Sequence, residues 1–429
     1  MAMSAQVAPD TEVESEPNGT GAYRWYVVVM LWLICFFNYA DRQAIYSVFP
    51  LIQRDLELSP VQLGLLGSAF AWVYAVAGPF AGRLVDRMRR KTAVLAGLEV
   101  WSVICALTAL SRQFGSLLLF RGAEGLGESI YFPASMSMLA SYHPGRTRSR
   151  AFGLHQTSVY VGTIAGGMVA GWIAQRHGWR SAFVLFGVLG MVLGIVLLRL
   201  LKEPALEAPV VQHVKLRAFL STLWQSPGAL RLMLAFGAMN AVAVVQLSWL
   251  PKFLYDRFGL SLVQAALFAT LTAQCGAALG SLVGGWFADR RAKLPGGRIR
   301  IQVLGSLCGI PFVAACGLSH TLALTLACLT GWGFCKGLYD ANTFASLFDT
   351  LPAEVRGVST GFMNSSGWLL GGTTAPVLIG YLSTLYGLGN AIALSAAGYA
   401  LAALLLFAAS QSIRRAASAA PRELLAPHA

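Results

Sequence analysis

Long apolar runs recur along the whole of this 429-residue chain, each about the ~20 residues that a helix needs to cross a bilayer. Three of them carry charges inside. Asp41 and Arg42 lie within one run, Arg121, Glu124 and Glu128 within another, and Lys336 and Asp340 within a third. Ionisable groups at membrane depth are costly, so they usually line a path for ions or substrate. The pattern therefore predicts a membrane protein built to move something.

Twelve spanning segments can be drawn: about 25–50, 61–82, 91–110, 113–140, 149–175, 179–202, 231–256, 262–288, 299–318, 321–349, 357–385 and 388–410. An even number puts both termini on one side. With the N-terminus in the cytoplasm, 23 of the 32 Lys and Arg residues fall in cytoplasmic segments and six in outer ones, and three (Arg42, Arg121, Lys336) lie within the membrane. This is the positive-inside bias. It accounts for the net charge of +13 without invoking nucleic acid as a partner. Only 12% of residues are charged, against about 25% in a soluble domain. Residues 1–24 are polar and weakly acidic and read as a disordered cytoplasmic tail; 411–429 form a second one. No cleavable signal peptide is expected, because the first apolar run is too long for one.

The stretch 203–230 is the longest loop, with one short amphipathic candidate near 214–224. It divides the chain into six-helix units at 25–202 and 231–410. The two units repeat. Gly82-x3-Asp86-Arg87 recurs as Gly285-x3-Asp289-Arg290, and Pro144-x3-Arg148-x4-Gly153 recurs as Pro352-x3-Arg356-x4-Gly361. Two motifs in register imply two structurally repeated bundles, with a site at their interface near the midplane. The seven Cys lie in apolar segments without metal-ligand spacing and read as small buried residues.

These residues resemble a known family. Twelve helices in two sixes, with the loop Gly82-Arg83-Leu84-Val85-Asp86-Arg87-Met88-Arg89-Arg90-Lys91, resemble the major facilitator superfamily. Arg89 departs from the usual Gly of that pattern, as in its spinster-like branch. Asn38-Tyr39-Ala40-Asp41-Arg42, Arg121-x6-Glu128, Pro133 and Gly178-Trp179-Arg180 resemble the same branch. The Arg121–Glu128 run and the stretch from Pro144 to Gly153 also resemble the organic anion–cation symporter branch. The resemblance implies an all-α membrane fold of two pseudo-symmetric bundles. It also implies gating by Asp86 with Arg87, Arg90 and Lys91, and in the second copy by Asp289 and Arg290. The alternative is plain anchoring at lipid headgroups.

Arg121, Glu124 and Glu128 are spaced i, i+3, i+7 and share one helix face. At 1.5 Å per residue, Arg121 falls about 9 Å outward of the middle of its helix and Asp41 about 6 Å outward of its own. The five charges can therefore meet. Burial favours a neutral carboxylic acid and a nearby Arg favours the carboxylate, so relative motion of the two can bind and release a proton. Asp41 and Glu128, with Glu124, are the expected proton-coupling acids, and Arg42 the switch or anion contact. The competing reading is a permanent network of Asp41–Arg121 or Arg42–Glu124 pairs. Lys336 and Asp340, at i, i+4, can pair with each other, or Lys336 can hold a substrate carboxylate. Arg42, Arg121, Lys336, Gln156, Tyr160, Asn240, Gln246, Asn364 and Trp368 are the expected substrate contacts. His155 and Gln274 complete the lining, and the glycines of segments 5 and 11 serve close packing.

No P-loop, catalytic triad or metal cluster in an aqueous domain is present, so neither an enzyme nor an ATP-driven pump is expected, and no cofactor or metal. The leading expectation is a secondary transporter, proton-coupled and working by alternating access, for a small organic anion such as a carboxylate or acidic sugar. It would be a multi-pass monomer in the plasma membrane, the inner membrane in a bacterium. The alternatives are export of a lysophospholipid-like amphipath and a non-transporting sensor on the same scaffold.

Overall fold

The computed structural model describes residues 21–85, 87–143, 147–204, 216–291, 294, 296–352 and 355–419. Every regular element among them is helical. The first six long helices are α1 (Tyr23–Ser47), α2 (Pro60–Val85), α3 (Arg90–Thr108), α4 (Phe114–Tyr142), α5 (Arg148–His177) and α6 (Trp179–Leu200). The second six are α7 (Pro227–Phe258), α8 (Leu262–Arg291), α9 (Gly297–Leu318), α10 (Leu322–Asp340), α11 (Arg356–Gly367 continuing through Ala375–Tyr386) and α12 (Leu388–Leu394 and Ala396–Ala419). Among the described residues, eleven helices are long and apolar enough to cross a membrane. The twelfth is α4, whose apolar run is interrupted by Arg121, Glu124 and Glu128. The amphipathic candidate of the central loop is the helix Leu216–Gln225.

Four segments are less continuous than the apolar pattern predicts, the twelfth only by a break at Ser395. The first stops at Ser47 and restarts as Phe49–Asp55, where Pro50 occupies the first turn of the new helix. The tenth stops at Asp340 and restarts as Thr343–Phe348; between them, Asn342 Nδ2 donates to the Leu338 carbonyl at 3.0 Å. The eleventh widens into a π-type turn at Trp368–Gly372 ahead of Pro376, which cannot donate to the preceding turn.

The repeat read from the sequence is visible in the packing. Gly166 on α5 lies against the backbone of Ala40 on α1, and Gly371 on α11 lies against Ala241 on α7. Gly125 on α4 meets the Phe70 carbonyl of α2, and Gly333 on α10 meets the Ala273 carbonyl of α8. Each crossing requires a residue without a side chain, and each recurs in the other half. The same turn also opens the last helix of each half: Gly178 has φ +83° and Gly387 φ +81°, which only glycine adopts readily.

The halves are pinned at the end away from residue 23. Gln43 Nε2 donates to the Leu247 carbonyl at 3.1 Å, and the Phe49 and Trp249 rings lie 5.9 Å apart. Gly64 and Gly380 bring α2 and α11 into backbone contact, and Gly171 sets α5 on the start of α8. A cavity lies between the halves at mid-depth, below these contacts.

The Gly178-Trp179-Arg180 motif is a staple at that far end. Arg180 Nη1 and Trp179 Nε1 both donate to Asp55 Oδ2, at 2.6 and 3.1 Å, and Arg180 Nη2 donates to the Ser111 carbonyl at 2.8 Å. The hydrogen bond from Arg180, then that from Trp179, holds the Asp55 carboxyl below its usual range. Its contribution to stability is therefore present above the unfolded value near ~3.9 and disappears as pH falls through the lower folded value. The side chains are 37% and 45% exposed, so the pair is worth at most about 1 kcal/mol. Arg180→Ala is expected to lower the unfolding temperature at pH 7 by about 2 °C or less, with the gap narrowing below pH ~4. A gap in thermal scans that stays constant with pH would show that Asp55 is not the partner.

Candidate functional site

The tilt and crossing of α1 on α4 bring five charges together. Arg42 pairs with Glu128, while Arg121 Nη1 lies 2.5 Å from Glu124 Oε2. Arg121 Nη2 also donates to the Arg42 carbonyl at 3.3 Å, and Thr108 Oγ1 donates to Glu124 at 3.3 Å. Arg121, Glu124 and Glu128 are all fully buried, as their shared helix face predicts. Both pairs differ from the network weighed above, which had Arg42 on Glu124 and Arg121 on Asp41. Helical spacing fixes a common face on α4 but not which of its acids meets Arg42 of α1.

Asp41 has no direct guanidinium contact among the described residues. Its Oδ1 accepts from the Cys105 thiol at 3.2 Å, and its Oδ2 is buried without a partner there. Cys105 also lies 3.4 Å from the Phe183 carbonyl. The sequence marks Cys105 only as a small buried residue; its role at the site depends on how α3 packs against α1. Two other cysteines depart from that reading, since Cys275 and Cys308 are exposed. Donor atoms of Asp41, Cys105 and Glu124 lie within 4.8 Å of one another. A guanidinium and a hydroxyl already serve Glu124, so the trio is a hydrogen-bonded cluster rather than an open ligand set. Three acids against two guanidinium groups leave the cluster one negative charge in excess, so a single bound proton makes it neutral.

Arg42 sits in an aromatic cage. Its guanidinium carbon lies 4.9 Å from the centroid of Tyr39, 4.5 Å from Phe70, 5.1 Å from Tyr74 and 5.5 Å from Trp368. Such contacts hold a cation at low desolvation cost. Three of the rings come from the first half and Trp368 from the second, 5.7 Å from Tyr74. Tyr39, Phe70 and Tyr74 are sequence misses. Phe70 and Tyr74 are spaced i, i+4 on α2 and Tyr39 stands three before Arg42, but neither pattern differs from ordinary core spacing.

The cavity measures about 370 Å³, within the range of small-molecule sites. Arg42, Arg121, Gln156 and Tyr160 line it from the first half, and Asn240, Gln274, Lys336, Asn364 and Trp368 from the second. Asn240 Nδ2 is tied to the Gly367 carbonyl at 2.7 Å. Lys336 pairs with Asp340 on the cavity wall, with side chains 27% and 38% exposed. Gln246 is not brought to the cavity: it is buried outside the lining, and the next residue, Leu247, lines it instead. His155 lies 3.3 Å from the Tyr131 hydroxyl, outside the lining.

Of the expected gating residues, Asp86 lies outside the described residues. Arg87 is exposed. Arg90 Nε donates to Ser137 Oγ at 2.7 Å. The backbone N–H groups of Arg90 and Lys91 donate to Glu203 at 2.7 and 2.8 Å, an acidic cap on α3 that the motif does not reveal. Asp289 lies 3.8 Å from Arg298, which also meets Asp349 at 3.0 Å, and Arg290 stacks on Trp286 at 3.3 Å.

Residues 31–376 match the sequence pattern of the Major Facilitator Superfamily. The chain belongs to this superfamily. Like other members it is a multi-pass membrane transporter and not an enzyme. It is 26% identical to the probable galactarate/D-glucarate transporter of Escherichia coli K12, over 94% of this chain and 96% of that protein. It is 29% identical to the gallate transporter of Pseudomonas putida, over 88% and 93%. In fold it is similar to a bacterial homologue of the human lysosomal transporter Spinster in an inward-facing, unoccupied conformation. That likeness has a TM-score of 0.80 at 23% identity, over 92% of this chain and 99% of the other.

Proposed function

We propose that this superfamily member couples proton movement to the transport of a small organic acid by alternating access. The observation that carries the reading is the Arg42–Glu128 pair in and behind the cavity wall. A substrate carboxylate needs the guanidinium that Glu128 holds. Protonating Glu128 removes its claim and frees Arg42 for the substrate; releasing the substrate lets Glu128 ionise and pair again. Asp41, next to Arg42 in the chain and held by the Cys105 thiol, is the second proton acceptor. Glu124 stays with Arg121, which narrows the coupling acids from three to two. Gln156, Tyr160, Asn240, Asn364 and Trp368 would order the rest of the ligand, while Gln246 would act through packing.

The similarity to proteins named for galactarate, D-glucarate and gallate supports a hydroxylated organic acid as the substrate. The amphipath reading needs a lateral portal between α5 and α8; these helices are packed together at their far ends by Gly171 on Leu262. With the positive-inside bias, both termini are cytoplasmic, the host membrane is the bacterial inner membrane, and the far-end closure is the inward-facing state. Asp86, Arg87, Arg90, Asp289 and Arg290 would then act in the opposite closure.

The test is uptake of labelled organic acids into proteoliposomes under an imposed pH gradient. Accumulation on the alkaline side, abolished by a protonophore, is the expected result. Accumulation indifferent to the gradient would remove the proton from the scheme.

A further inference from the structure

Each cation of the cavity has a private carboxylate, but the pairs differ in access. The Arg42 and Glu128 side chains are 11% and 0% exposed, caged by rings. Lys336 and Asp340 are 27% and 38% exposed and both line the cavity from the opposite half. An ammonium has three donors, and Asp340 takes one of them. Across the space stand Gln156 and Tyr160 of α5, which no hydrogen bond to another described residue holds.

An ion pair at membrane depth is a poor way to stabilise a fold, since apolar residues of similar volume do as well or better there. Among the described residues the pair lies on α10 and joins no second helix, so it ties no helices together. A ligand with one acid group can satisfy Arg42 and leaves Lys336 with Asp340. A ligand with an acid group at each end can bridge the halves, with one end on Arg42 and the other on the spare donors of Lys336. Asp340 then keeps the ammonium oriented and accepts from a neighbouring hydroxyl.

We propose that Lys336 and Asp340 form a second anion subsite, which makes an open-chain dicarboxylate the preferred substrate. This rests on the transport reading above and adds the substrate class to it.

The experiment compares galactarate with galactonate in proteoliposomes holding the full chain. The two share a carbon skeleton and differ at one end, carboxylate against hydroxymethyl. The wild type is expected to favour galactarate by about tenfold or more. In the double variant Lys336→Met, Asp340→Leu the preference should fall to near parity, because galactarate transport drops more than galactonate transport does. A monodisperse size-exclusion profile and a wild-type-like unfolding temperature in detergent are the control for folding. Should the double variant not fold, Lys336→Arg and Lys336→Gln decide: a preference kept by arginine and lost with glutamine supports the subsite, and equal behaviour overturns it. Equal handling of both acids by the wild type, an unchanged preference in the double variant, or a parallel fall for both acids also overturns it. A wild type that moves neither acid, nor any other organic acid, overturns the transport reading itself.

Discussion

Glu128→Gln is expected to keep substrate exchange and to lose the share of uphill accumulation that one coupled proton drives. Glutamine has nearly the shape of glutamate but carries no charge, so it does not compete with a substrate carboxylate for Arg42. The variant resembles the protonated state permanently, and substrate can bind and cross with no proton taken up at this position. Each coupled proton turns a pH step of one unit into about 1.4 kcal/mol, a tenfold accumulation ratio. The ratio should therefore fall about tenfold per unit of imposed gradient, while counterflow of labelled against unlabelled substrate continues. Arg42→Ala should abolish both activities. It removes the anion contact and also leaves Glu128, fully buried, without its partner. A Glu128→Gln variant with unaltered accumulation would show that the pair is structural. In that case Asp41, which among the described residues only a thiol serves, becomes the remaining site for coupling.

What the sequence disclosed followed the physics of each feature. Membrane depth and helical periodicity are one-dimensional properties, so the twelve spans and the burial of Arg121, Glu124 and Glu128 on one face could be read directly, and the i, i+4 spacing gave the Lys336–Asp340 pair as one of two readings. The two-fold repeat could be read because its motifs sit in loops at nearly the same offset, 203 and 208 residues. Rotation of one helix against another is not written in spacing. That rotation decided that Arg42 meets Glu128 rather than Glu124, that Cys105 of α3 reaches Asp41, and that Gln246 turns away while Leu247 lines the cavity. The ring cage was illegible for a further reason. Tyr39, Phe70, Tyr74 and Trp368 come from three helices in two halves, and only the assembled fold sets them around one guanidinium.

Substitutions on α5 separate packing from propensity by the sign of their effect. Gly153 has open space where a side chain would start, so Gly153→Ala should raise stability by about 0.5–1 kcal/mol through helix propensity alone. Gly166→Ala gains the same propensity, yet its new methyl would fall among the Cα, carbonyl oxygen and Cβ of Ala40. Backbone atoms cannot rotate out of the way, so the cost should reach or exceed the ~1–3 kcal/mol of ordinary overpacking, and Gly166→Leu should yield little folded protein. Thermal unfolding in detergent is the measurement, and a stabilised Gly166→Ala would refute the crossing. The consequence for function follows from position. Ala40 immediately precedes Asp41 and Arg42, so whatever moves α1 off α5 also moves the guanidinium relative to Glu128 on α4. Surviving Gly166→Ala protein should therefore lose more transport than its fall in stability explains. Gly371→Ala, at the matching crossing with α7, should instead disturb Trp368 and loosen the cage from the other half.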